Sequence, residues 1–97
     1  MIRADGPVAH RLGHALWRAY VEPAATGHDL VLDRPVTWTL GFQVSEDAGR
    51  VELGMGGAGG CSAWADPDRG YGAAYVSRTL GGHDRGELLW DAIVALT

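Results

Sequence analysis

The apolar positions of this chain recur first at a helical period and then at a period of two. Val8, Leu12, Leu16 and Tyr20 are spaced four apart, with Ala15 and Ala19 beside them, which predicts one face of a helix. Asp5-Gly6-Pro7 supplies its start, an N-cap followed by proline in the first turn, and Pro23 supplies its stop. Gly13 inside it costs about 1 kcal/mol against alanine. Residues 23–35 read as a loop closed by Pro35. From Val36 to Ser45 the period changes. Val36, Trp38, Leu40, Phe42 and Val44 fall on one side, Thr37, Thr39, Gly41 and Gln43 on the other, the alternation of a half-buried strand. Trp38, Phe42 and Val44 are then core residues under the helices.

Glu46-Asp47-Ala48-Gly49 is turn chemistry, so Arg50–Leu53 returns as the second strand of a hairpin. A glycine run, Gly54-Met55-Gly56-Gly57-Ala58-Gly59-Gly60, leads into a short strand of small residues, Cys61–Ala65. Asp66-Pro67-Asp68-Arg69-Gly70 is a second turn, in which proline presets φ and glycine takes the positive-φ position. Tyr71–Ser77 is the last strand. After Gly81-Gly82, Asp84 and Glu87 have the spacing of a capping box. Leu88, Leu89, Ala92, Ile93 and Leu96 then form an amphipathic stripe that predicts a terminal helix lying on the sheet. The expected fold is α+β, one small domain over residues 1–97. It has three or four antiparallel strands with N- and C-terminal helices on one face.

Charge narrows the function classes. The formal net charge is −4, and all eight basic residues are arginines with no cluster among them, so nucleic acid is not an expected partner. The first seven residues lack a signal-peptide core, and no segment approaches the roughly 20 apolar residues of a membrane span. The single cysteine, Cys61, forms no intrachain disulfide and fits a reducing compartment, so the expected location is cytoplasmic. A hydrophobic fraction of 46% and four tryptophans exceed what one small core hides. That implies a partner, either further copies of the chain or a complementing chain.

Gly54-x-Gly56-x-x-Gly59 matches the dinucleotide fingerprint literally. That motif needs a helix N-terminus directly after it to hold the pyrophosphate, and here a small-residue strand follows. No cofactor is implied. The glycines read as a bend, a bulge or close strand packing, or as bare backbone N–H groups that face a ligand, as an oxyanion hole requires. His10 and His14 are four apart but lack a third ligand and read as surface histidines; His28 and His83 read as solvated loop residues. Cys61, in a strand of small residues, reads as buried and inert. Trp64, with Trp17 or Trp90, reads as core or as the lining of a pocket or interface.

Three segments together resemble the C-terminal part of the serine β-lactamase-like family, in its class C-like and esterase branch. These are Trp38-Thr39-Leu40-Gly41-Phe42, the stretch from Leu53 to Pro67, and Gly70-Tyr71-Gly72-Ala73-Ala74-Tyr75-Val76. The resemblance covers roughly residues 30–97. It implies that Met55-Gly56-Gly57 stands where the family has Lys-Thr-Gly or His-x-Gly at the edge of its active site. The Ala58 N–H would then be an oxyanion donor and the ligand a small ester or β-lactam. Met55 replaces a cation or imidazole, and a thioether neither carries charge nor donates a hydrogen bond. The family nucleophile lies in Ser-x-x-Lys, and its second motif is Tyr-x-Asn. The chain has neither lysine nor asparagine, so neither motif exists here. The expectation is a β-lactamase-like hydrolase portion without activity alone. The alternatives are an interaction or dimerisation module derived from that fold, and a weak ester hydrolase using Cys61 or a histidine-activated water.

Overall fold

The computed structural model describes residues 3–97, which form three helices and a six-stranded sheet. Helices α1 (Pro7–Leu12) and α2 (His14–Val21) precede strands β1 (Ala25–Asp29), β2 (Arg34–Trp38), β3 (Gln43–Asp47), β4 (Arg50–Gly56), β5 (Ser62–Asp66) and β6 (Tyr71–Tyr75). Helix α3 (Asp84–Leu96) ends the chain. Every strand pairs antiparallel with the next, giving the order β1-β2-β3-β4-β5-β6. The α+β class expected from the sequence holds, but the sheet is wider than the three or four strands predicted.

Two elements account for the difference. Residues 25–29, expected to be loop, pair with β2 from Ala25↔Trp38 to Asp29↔Arg34. At the tip of that hairpin, Asp29 Oδ1 accepts the N–H groups of Val31 and Leu32, both at 2.8 Å. The expected strand 36–45 is two strands. Thr39 N–H donates to Phe42 O at 2.8 Å, and Thr39 Oγ1 accepts from Gly41 N and Phe42 N, closing a tight turn with Leu40 and Gly41 at its tip. The turn inverts the alternation. Trp38 pairs with Gln43 and Thr37 with Val44, so Trp38 and Val44 lie on opposite faces and do not share one core.

The predicted first helix breaks at Gly13, whose φ is +79°. Proline takes its place in the first turn, but the N-cap is Gly6 while Asp5 pairs with Arg3 at 2.9 Å. The break leaves Leu12 and Leu16 exposed. Tyr20 of α2 packs edge-on against Phe42, with ring centroids 5.2 Å apart. The two downstream turns form as expected. Ala48 and Gly49 both adopt positive φ between β3 and β4, the two-residue hairpin connection that matches strand twist. Between β5 and β6, the fully buried Asp66 accepts from Arg69 N and from its guanidinium, both at 2.9 Å. Burial pushes the Asp66 carboxyl up, but the Arg69 amide and guanidinium outweigh it and hold the group below the usual carboxylate range.

Helix α3 lies on one face of the sheet, but not by its predicted stripe. Gly86 is buried and Trp90, Ile93 and Val94 are half-buried, while Leu88, Leu89, Ala92 and Leu96 point outward. The facing strand explains the choice. Glu52, buried on β4, accepts from Trp90 Nε1 at 2.9 and 2.8 Å. Arg50, also buried, donates to Val94 O at 3.0 Å and to Thr97 Oγ1 at 2.6 Å. The Tyr71 hydroxyl stands between them, accepting from Arg50 and donating to Glu52. Buried charges need such partners, so the helix turns its indole and its last carbonyls to the sheet. Asp84 and Glu87 do not form the expected capping box; the N-cap is His83 and makes no side-chain cap bond. Among the described residues, the hydrogen bonds between helix and sheet all involve α3, not the N-terminal helices.

Candidate functional site

Strand pairing assigns every β4–β6 side chain to one of two faces. Opposed residues share a face, so Arg50, Glu52, Gly54 and Gly56 lie with Ser62, Trp64 and Asp66, and with Tyr71, Ala73 and Tyr75. Helix α3 covers that face. Val51, Leu53 and Met55 lie on the other with Ala63, Ala65, Gly72 and Ala74, and none of these seven carries a charge. Leu53 is buried, but Val51 is 42% and Met55 51% exposed, and Ala63, Gly72 and Ala74 are exposed as well. A cavity of about 410 Å³ opens on this face, bordered by Arg3, Phe42, Leu53, Met55, Ala65 and Pro67.

The glycine run forms the end of β4 and the turn into β5. Gly56 still belongs to the ladder, opposite Ser62. Gly57 N–H donates to Cys61 O at 2.7 Å, and Gly60 N–H to Gly57 O at 3.1 Å. Of the segment Met55-Gly56-Gly57-Ala58, the Met55 side chain therefore points to the open face, the Gly57 amide is consumed inside the turn, and the exposed Ala58 amide finds no acceptor among the described residues. An oxyanion hole needs convergent donors; within Met55–Ala58 only the Ala58 amide is free, and the next amide of the turn, Gly59, likewise has no acceptor among the described residues.

Among the described residues no serine or cysteine is hydrogen-bonded to a histidine or a carboxylate, although Ser62 and His83 line one cleft with Glu52, Glu87 and Trp90 beside the end of β4. Cys61 Sγ accepts from Ser77 N at 3.4 Å, and the Ser77 hydroxyl donates to Thr79 O at 2.9 Å. Ser62 lies under Gly86 at the start of α3, where a Cβ on that glycine would stand 3.3 Å from Oγ. His10 and His14 fall on separate helices, and His14 stacks on Trp17 with centroids 6.4 Å apart. His28 pairs with Asp33 at 2.9 Å. His83, expected free in a loop, lays its ring over Gly56: a Cβ there would come within 3.2 Å of Cε1. Among the described residues no three His, Cys, Asp or Glu side chains gather as a metal site.

The tryptophans divide. Trp90 is spent on Glu52. Trp17 and Trp64 each bury an indole N–H with no partner among the described residues. Sequence reasoning missed both the Arg50–Tyr71–Glu52–Trp90 network and the open face. The available signal was that Val51, Leu53 and Met55, then Ala63 and Ala65, then Gly72 and Ala74 alternate along their three strands and are all apolar or small. No known family model, curated protein or solved structure matches the chain.

Proposed function

We propose that this chain is a portion of serine β-lactamase-like hydrolase architecture that does no chemistry alone and works by binding polypeptide through the open face of its sheet. One observation carries this reading. Helix α3 covers the face that holds Arg50 and Glu52, while on the other face Val51, Met55, Ala63 and Ala74 stay exposed around the buried Leu53, with Glu46 of β3 beside Val51. An exposed apolar patch of this kind marks an interaction surface. The scarcity of core agrees with it: among the described residues, the buried apolar side chains are Ala9, Val36 and Leu53.

The hydrolase ancestry rests on the resemblance of residues 30–97, and the lack of chemistry on the absence of lysine and asparagine, which removes the family's two catalytic motifs. A second reading keeps a ligand role for the glycine turn. The unpartnered amide of Ala58 would bind one oxygen of a small ester or β-lactam once another polypeptide supplied the nucleophile and the second donor.

The test is the intact mass of the pure protein after incubation with a serine-directed phosphonate and with a penicillin. The expected result is an unchanged mass with both reagents. A stoichiometric adduct on Ser62, Ser77 or Cys61 would overturn the non-catalytic reading.

A further inference from the structure

We propose that the cleft between β4, β5 and the start of α3 binds a small organic ammonium ion. It lies on the side of the sheet that α3 covers, away from the open face, so the two sites stand or fall separately.

The cleft exists because Gly86 brings the first turn of α3 close to β5. That glycine is buried, and a Cβ on it would stand 3.3 Å from Ser62 Oγ. The space beside it holds about 250 Å³ and is bordered by Glu52, Ser62, Trp64, His83, Glu87 and Trp90. Pockets for drug-sized ligands span roughly 300–1,000 Å³, so the occupant is smaller.

Charge selects its sign. Glu52 and Glu87 border the cleft and no arginine does. Glu52 is 7% exposed, and its donors are the Trp90 indole and the Tyr71 hydroxyl, both neutral. Among the described residues no cation forms a salt bridge with it. Arg50, on the same face, spends its guanidinium on Val94 O, Thr97 Oγ1 and Tyr71, and reaches Glu52 only through that hydroxyl. A buried carboxylate held by neutral donors keeps a desolvation cost that a cation in the cleft offsets.

The walls select the kind of cation. Glu52, His83 and Glu87 share the cleft but do not gather as a metal site. Two indoles, Trp64 and Trp90, border it instead. Tryptophan is the aromatic side chain that attracts cations best, and quaternary ammonium groups are its characteristic ligands. Trp64 also buries its indole N–H without an acceptor among the described residues, and such a donor calls for an oxygen. An ammonium group with an oxygen acceptor nearby meets both needs. Free amino alcohols carry that chemistry, and so do the lysine side chains of other polypeptides. This chain has no lysine of its own.

The test titrates nitrogen-15-labelled protein and follows the indole N–H signals of Trp64 and Trp90. The probes are choline, the uncharged alcohol in which carbon replaces the choline nitrogen, and N-acetyl-lysine amide. The expected result is saturable movement of both signals by choline, with Kd about 1 mM or below, and no saturation by the uncharged alcohol. Glu87→Gln should weaken choline about fivefold, and Trp64→Leu about tenfold. Glu52→Gln, which keeps an acceptor for Trp90, should also cost about tenfold. If that variant unfolds, Glu87→Gln still decides, because its side chain is exposed. Asp91→Asn removes the same charge elsewhere on α3 and should change nothing. Choline binding without the lysine amide assigns the cleft to a free small molecule; comparable binding of both assigns it to a lysine side chain. No movement with either cation, an equal response to the uncharged alcohol, or equal losses from Asp91→Asn and Glu87→Gln would overturn the site.

Discussion

Gly60→Ala will destabilise this fold by about 3 kcal/mol, a large share of the total for a chain of this size. Two costs combine. Gly60 sits at φ +96°, where a Cβ is strained by roughly 1–2 kcal/mol. The added methyl would also stand 2.5 Å from Gly82 O and 3.0 Å from Gly81 O, both backbone atoms that a rotamer change cannot move. Relief requires displacing the segment that leads into α3, and with it the 2.9 Å bond from Gly81 N to Gly59 O. Gly49→Ala is the control. Its φ is +73° but nothing lies within 4 Å of the added methyl, so only the conformational cost, about 1 kcal/mol, applies. Urea unfolding of both variants separates the terms. Equal losses at the two positions would mean that the approach of residues 81–82 to the glycine turn contributes nothing.

Glu52→Ala will cost a similar amount, about 3 kcal/mol, and will release α3 first. The side chain is buried between β4 and the helix. Its removal strands the Trp90 indole N–H and the Tyr71 hydroxyl, and each unsatisfied buried donor costs about 1–3 kcal/mol. Trp90→Phe should cost less than Glu52→Ala, because it keeps most of the ring and leaves the carboxylate with Tyr71. Amide exchange along 84–96 reads out the local effect, and urea unfolding the global one. If Glu52→Ala leaves α3 exchange unchanged, the network does not hold the helix.

The sequence shows the downstream half of the sheet clearly because its turns carry their own chemistry. Ala48-Gly49 and Asp66–Gly70 bracket β4 and β5 in the way their residue types require. The upstream half is hidden for two physical reasons. Ala25–Asp29 is polar, glycine-containing and an edge strand, so neither propensity nor period marks it; it exists because β2 offers it a ladder. The turn at Leu40-Gly41 is equally silent, because a two-residue connection interrupts the strand without interrupting the alternation of residue types.

The orientation of α3 was not legible either. A stripe of Leu88, Leu89, Ala92, Ile93 and Leu96 identifies the greasiest side of the helix, and burial of that side is the natural expectation. The sheet face that receives the helix presents Arg50 and Glu52, so hydrogen bonding from Trp90 and to Val94 sets the rotation instead. The same inversion leaves Val51 and Met55 uncovered. The glycine run was legible as a connection between two strands. That its Gly57 amide is consumed by Cys61 O, leaving the Ala58 and Gly59 amides without acceptors, depends on turn geometry that residue types do not specify.

The central claim is that the working surface of this chain is the bare face of β4–β6 and not the glycine turn. The most direct measurement is the fluorescence of an apolar dye bound to the dilute, monomeric protein, compared with Met55→Glu on the face and Ala58→Glu in the turn. The account predicts strong enhancement for the native chain, a several-fold loss for Met55→Glu and no change for Ala58→Glu. Native protein that gives no enhancement, or a loss confined to Ala58→Glu, would contradict it.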